Sequence, residues 1–151
     1  RQAMVRHPRQ LLRSGHALAM QLPVLPEWWL SLRDFKDFAQ VMMRTSRPGT
    51  FDEASLSDFR DAWSRPGAVK AMVNWYRAAT RYPAADVGSR VTVPSMLLWG
   101  EQDPFLGVDL VAPTVALCDD VQVVRLPTAT HWIHHEETER VLTELTAFFE
   151  T

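Results

Sequence analysis

The sequence predicts an α/β fold in two parts, a helical first part followed by a piece of a parallel sheet, and three features carry that prediction. No convincing strand occurs from Pro8 to about Tyr82, where the pattern is helical. From Val91 onward, short apolar runs alternate with helical stretches, the grammar of a strand, a crossover and a second parallel strand. Only two strands are evident, three if Val91–Val93 is counted, and so small a parallel sheet leaves edges and faces open. The fold is therefore expected to be incomplete, with a helical domain over residues 1–82, a sheet-bearing part over 83–151 and a border in Pro83–Arg90.

Each element follows from local signals. Pro8 fits the first turn of a helix running toward Met20, and Pro23 and Pro26 then break it. A second helix is predicted from Glu27 to Arg44. Ser46, Pro48 and Gly49 mark a loop, after which Thr50 or Asp52 caps a third helix, with Asp52 and Glu53 at its positive end. Pro66 starts a fourth helix. There Val69, Met72, Val73, Tyr76 and Ala79 recur at three- and four-residue intervals, so they share one stripe and Tyr76 is expected to face inward. Beyond the border, Pro94 precedes Ser95-Met96-Leu97-Leu98-Trp99, continuous in apolar character as in a parallel strand covered on both faces, and Gly100 ends it. A helical stretch from about Val108 to Leu117 leads to a second strand, Val121 to Leu126. The last helix, roughly Glu136 to Phe149, sets Val141, Leu142, Leu145, Phe148 and Phe149 on a face expected to pack on the sheet.

Composition excludes several classes of function. The 151 residues, 46% of them hydrophobic, suffice for one compact domain or a piece of one. A formal net charge of -2, with acids and bases mixed along the chain, offers no basic stripe for phosphates, so nucleic acid is not an expected partner. Cys118 is the single cysteine and can form no internal disulfide. Apolar runs such as Met96–Trp99 are far too short to cross a bilayer, so no membrane partner and a cytoplasmic location are expected. The chain opens at Arg1 without an initiator methionine and reads as part of something longer. It shows no repeat and no low-complexity segment.

Functional groups in parallel α/β sheets gather in loops beyond the carboxyl ends of the strands. Two such loops are visible, Gly100-Glu101-Gln102-Asp103-Pro104-Phe105 and Thr128-Ala129-Thr130-His131-Trp132. Alone, Asp103 would simply support the turn before Pro104, and His131 would cap the last helix or fill a core gap. Together they suggest a general-base device, in which the carboxylate fixes the imidazole tautomer and stabilises its protonated form. His131, His134 and His135 also form an H-x-x-H-H cluster to which Glu136 can add a carboxylate. With no H-E-x-x-H or paired-cysteine motif beside it, neither a metal site nor a cofactor is expected.

The stretch from Val93 through Gly100-Glu101-Gln102-Asp103-Pro104-Phe105, then His131-Trp132 and a terminal amphipathic helix, resembles the closing portion of α/β-hydrolases, and more closely their epoxide hydrolase-like branch. Arg6-His7-Pro8-Arg9-Gln10-Leu11-Leu12-Arg13-Ser14, leading to Gln21-Leu22-Pro23-Val24-Leu25-Pro26-Glu27, is similar to the first lid helix of bacterial epoxide hydrolases, as is Asn74-Trp75-Tyr76-Arg77-Ala78. The resemblance implies the C-terminal part of an α/β-hydrolase sheet with an inserted all-helical lid. It implies Asp103 as the catalytic acid, His131 as the base and Tyr76 as a lid residue that hydrogen-bonds an epoxide oxygen. His16 stands where many relatives carry a second lid tyrosine, so His16 and Trp132 are expected to contact substrate. The implied reaction turns a small hydrophobic epoxide and water into a diol through an alkyl-enzyme ester.

No G-x-S-x-G elbow occurs, and no His-Gly turn that would build an oxyanion hole precedes the lid. Ser14, Ser46 and Ser95 sit on no recognisable elbow. In this family the nucleophile and most of the sheet lie before the lid, so they are expected upstream of Arg1, and the 151 residues alone are expected to be inactive. Two rivals stay open: a dehalogenase or esterase on the same fold, and a non-catalytic module whose lid encloses a ligand or docks a protein.

Overall fold

The structure is a computed structural model that describes residues 10, 13–82 and 90–150. Pro8, at the start of the first predicted helix, and residues 83–89 of the predicted border lie outside the described residues. The chain divides into two compact units. Residues 14–44 and 48–82 form a helical unit, and residues 10, 13, 45–47 and 90–150 form a unit built on the sheet. The division is therefore not a single cut after residue 82: Gln10, Arg13 and Thr45–Arg47 group with the sheet, because hydrogen bonds to residues 103–107 and 128–137 tie them there.

The helical unit contains α1 (Gly15–Ala19), α2 (Leu25–Ser31), α3 (Lys36–Thr45, whose last residue groups with the sheet), α4 (Glu53–Ser64) and α5 (Ala68–Arg81). The continuous helix expected from Glu27 to Arg44 is two helices. Arg33, Asp34 and Phe35 take left-handed backbone, with φ of 54°, 56° and 58°, between α2 and α3. An L residue there costs about 1–2 kcal/mol, and no glycine or proline announces the break. The compensation is tertiary: Phe35 is buried with its ring 5.8 Å from that of Trp63, and Trp63 also packs on Phe38 at 4.4 Å and Phe59 at 5.6 Å. Pro26 does not end a helix; it occupies the first turn of α2, where its missing N–H costs nothing. Asp52 caps α4 as predicted, accepting from the Ser55 backbone N–H while the Ser55 hydroxyl accepts from the Asp52 N–H.

On α5 the predicted stripe is only partly packed. Val73 is 1% exposed, whereas Tyr76 is 39% exposed and Ala79 is exposed as well. Three residues advance a helix by about 300°, so Tyr76 sits about 60° from the direction Val73 buries and falls at the margin of the packed face rather than inward.

In the second unit, β1 (Ser95–Gly100) and β2 (Val121–Leu126) pair in parallel, register running from Ser95 opposite Val121 to Gly100 opposite Leu126. Val91 contributes one parallel bridge to Cys118, and Val93 belongs to neither strand. β1 was expected to be covered on both faces, yet it is half-buried until Gly100, because only two strands pair among the described residues. The crossover is a 3-10 turn (Val108–Leu110) followed by α6 (Val111–Val115). The last helix is interrupted at Glu137, giving α7 (Ile133–Glu136) and α8 (Thr138–Phe149). Val141 is buried and Leu145 and Phe148 half-buried, but Leu142 and Phe149 are exposed, so the predicted packing face is narrower than the sequence suggests. Val124, Leu126 and Ala129, with Leu98 and Ile133 against them, form the core beneath the ends of both strands. No helix among the described residues is long and apolar enough to cross a membrane.

Candidate active site

Both candidate loops leave the carboxyl ends of the two paired strands, and Gly100 lets them approach. A Cβ built on Gly100 would stand 2.2 Å from the Thr130 carbonyl oxygen, 2.7 Å from that of Ala129 and 2.9 Å from Ile133 Cγ2. Only glycine tolerates that proximity, and here the reason is space rather than backbone angle. The gap is closed by hydrogen bonds: Glu101 N–H donates to Leu126 O at 3.0 Å and Gln102 N–H to Ala129 O at 2.9 Å.

This closure brings Asp103 to His131. Asp103 Oδ1 accepts the backbone N–H groups of Phe105 and Leu106 at 2.7 and 2.8 Å, which orients the carboxylate, and Oδ2 lies 2.8 Å from His131 Nδ1. Burial tends to raise the Asp103 pKa, but the His131 hydrogen bond and the two backbone N–H donors outweigh it and hold the carboxyl below its ordinary value. An ionised carboxylate only accepts, so Nδ1 of the imidazole carries the proton and Nε2 is the basic nitrogen. Nε2 has no hydrogen-bond partner among the described residues, and the His131 side chain is 40% exposed. The Phe105 and Trp132 rings meet the imidazole edge-on at 5.0 and 5.6 Å. Such a pair can take a proton from water and stabilise the resulting imidazolium.

In the helical unit the structure brings His16 and Tyr76 together, their rings edge to face at 5.8 Å. Gln21 joins α1 to α5 there: its Nε2 donates to Ala17 O and Tyr76 O, and its Oε1 accepts from the Thr80 hydroxyl at 2.7 Å. Arg77 adds a bond to Leu22 O at 2.6 Å and pairs with Glu27, whose pKa this partner lowers. Trp132, the remaining predicted contact residue, gives its indole N–H to Thr45 Oγ1 at 3.0 Å, so only its ring is available to a ligand. The three histidines of the H-x-x-H-H cluster do not converge. His131 is committed to Asp103, whereas the His134 and His135 rings meet at a tilt of 47° with centroids 4.3 Å apart. Burial and the neighbouring His135 and His131 lower the His134 pKa.

No family model matches the sequence. Among curated proteins, the AB hydrolase superfamily protein YfhM of Bacillus subtilis (strain 168) is 35% identical over 131 residues, which is 87% of this chain and 46% of that protein. Epoxide hydrolase 4 of Homo sapiens is 30% identical over 145 residues, 91% of this chain and 40% of that one. The chain belongs to the α/β-hydrolase superfamily, in its epoxide hydrolase-like branch. It spans less than half the length of these relatives. The fold agrees: a Bacillus megaterium epoxide hydrolase solved with an inhibitor superposes with a TM-score of 0.83 at 16% identity, covering 99% of this chain and 56% of that one. The two-stranded sheet is thus part of the α/β-hydrolase sheet.

Residues that sequence reasoning missed support the two loops. Gln10, buried, donates to Phe105 O at 2.7 Å and accepts from Gly107 N–H at 2.9 Å, and Arg13 donates to Asp103 O at 3.0 Å. Glu136 and Arg47 do the same for the histidine loop. The sequence raises Glu136 only as a carboxylate beside the histidines and gives no signal for Arg47, whose partners lie about ninety positions away.

Proposed function

We propose that this chain is the lid and the acid–base half of an epoxide hydrolase that turns small hydrophobic epoxides into diols with water and no cofactor. The observation that carries the reading is the 2.8 Å contact between Asp103 and His131, with the basic Nε2 left for water. In this reaction a carboxylate on a segment preceding Arg1 attacks a ring carbon, the C–O bond opens, and the oxygen takes a proton from the lid. His131 then removes a proton from water, which attacks the ester carbonyl, frees the diol and restores the carboxylate, and the proton held by His131 replaces, through solvent, the one the lid gave up. Tyr76 offers a hydroxyl and His16 a ring N–H, and their edge contact supports their serving one substrate oxygen together. Trp132, beside His131 in the core part, contacts substrate through its ring face. Among the described residues, the lid comprises 14–44 and 48–82 and the core part 10, 13, 45–47 and 90–150. The 151 residues alone are inactive for want of a nucleophile.

The test is to extend the polypeptide upstream of Arg1, identify the residue at the elbow, and assay the longer protein on a styrene-type epoxide. Diol formation that disappears in His131→Ala, with aspartate at the elbow, supports the reading. Serine at the elbow with ester turnover replaces it by an esterase, and halide release from alkyl halides by a dehalogenase. Ligand binding untouched by loss of Asp103 or His131, without turnover in the parent, leaves a binding module.

A further inference from the structure

Glu136 carries a carboxylate whose side chain is 0% exposed, five positions after His131. Buried charges are retained only where they are well paired, and this one is. Oε2 accepts the Thr130 backbone N–H at 2.6 Å, and Oε1 accepts both the Thr130 hydroxyl at 2.7 Å and the Arg47 backbone N–H at 2.8 Å. The Arg47 guanidinium lies 3.7 Å from Oε2, bonds the Glu136 carbonyl and pairs with Glu137 at 2.7 Å. Thr130 is the residue directly before His131, and its carbonyl is the one that crowds Gly100. On the other side of His131, Trp132 is tied to Thr45, two residues before Arg47. The chain on both sides of the imidazole is therefore tied to one segment, Thr45–Arg47, through the indole of Trp132 on one side and through Glu136 and the Thr130 backbone on the other.

We infer that Glu136 is a positioning residue for the base: it fixes the Thr130 backbone so that His131 Nδ1 meets Asp103, and it acts through Thr130 and Arg47 without touching substrate. The inference rests on the hydrolase reading above for its kinetic consequence only. The ordering of the imidazole is a property of the loop itself. Glutamine at this position replaces one acceptor oxygen by an NH2 donor facing Thr130 or Arg47 N–H, so at least one anchor is lost. Displacing a catalytic group by about 1 Å costs on the order of 100-fold in rate.

The experiment compares Glu136→Gln, Glu136→Asp and Thr130→Val with the parent in the full-length hydrolase, by kcat and KM on the epoxide, by intact mass during turnover, and by the downfield proton resonance of His131 Nδ1–H, assigned through its loss in Asp103→Asn. Glu136→Gln is expected to lower kcat about 100-fold with KM unchanged, to accumulate the alkyl-enzyme ester because water activation fails, and to lose or broaden the resonance. Glu136→Asp restores part of the rate. Thr130→Val, which removes the hydroxyl that donates to Glu136 Oε1 and accepts from Trp132 N–H at 3.4 Å, shifts every readout the same way even if Glu136→Gln does not fold. An unchanged kcat overturns the inference. So does a loss of activity that merely follows the folded fraction while the resonance and KM stay put. If the parent turns over no epoxide, the functional reading fails separately, and the resonance still decides: retained in the variants, positioning is wrong; lost, it stands.

Discussion

Gly100→Ala tests whether the close approach of the two loops builds the acid–base pair. The added Cβ would lie 2.2 Å from the Thr130 carbonyl oxygen. A carbon and a carbonyl oxygen settle no closer than about 3.3 Å, so that carbonyl has to retreat by about 1 Å. The neighbouring atoms cannot absorb the shift. Ala129 is fully buried, its own carbonyl would be 2.7 Å from the new methyl, and that carbonyl holds Gln102 N–H at 2.9 Å. Moving Thr130 by that amount carries His131 with it and stretches the 2.8 Å bond to Asp103 to roughly 3.8 Å, too long for a hydrogen bond. Overpacking of this kind costs about 1–3 kcal/mol of stability, and the misplaced base costs about 100-fold in kcat. Denaturant unfolding and steady-state turnover of the full-length hydrolase measure the two effects. A variant that matches the parent in both would show that the loops have slack and that glycine is incidental.

Three further outcomes are expected. Asp103→Asn keeps the shape of the carboxylate but no longer enforces the Nδ1–H tautomer, so kcat should fall by roughly 10³–10⁴-fold with substrate binding retained; a fall of less than tenfold in turnover assays would remove Asp103 from the acid's role. Asp103 and Glu136 are both held below their ordinary values of 3.8 and 4.5, so their native forms release protons more readily than the unfolded chain. Each adds stability above its unfolded value that is lost as the pH falls through the lower folded value; urea midpoints should therefore drop between about pH 5 and about pH 2, less steeply in Glu136→Gln, and an identical slope in that variant would refute the assignment. Asp34→Gly relieves an exposed left-handed residue and should raise stability by roughly 0.5 kcal/mol after glycine's entropy cost, as read by thermal unfolding; destabilisation would mean that the aspartate side chain holds the turn.

What was legible in the sequence divides by the range of the forces involved. The α4 cap was readable because Asp52 and Ser55 satisfy each other within one turn. The pairing of Asp103 with His131 was readable because strand ends are marked by apolar runs that stop, and an acid and a histidine just beyond two neighbouring strands can reach each other. The break at Arg33–Phe35 was not, since nothing local demands it: Phe35 is drawn out of helical register by the Trp63 cluster, whose members span residues 35 to 63. The α5 stripe was half readable. Periodicity gives the spacing of a face but not its centre, and with Val73 at the centre Tyr76 falls at the edge, where it meets His16 instead of a core.

The same distinction explains why the Asp103–His131 pair is easier to find than the parts that hold it together. Asp103 and His131 carry their chemistry in their side chains and sit 28 positions apart in two recognisable loops. Gln10 and Arg47, by contrast, are ordinary surface-type residues whose roles exist only once the chain has brought them 97 and 90 positions back to Gly107 and Glu137. A buried glutamine bonded to two backbone groups and a buried carboxylate filled by three donors leave no periodic or compositional trace. They nevertheless set whether a 2.8 Å contact forms, and a pair that misses by 1 Å has the right residues and little of the rate. The test of the proposed function therefore lies as much in Glu136 and Gly100 as in Asp103 and His131.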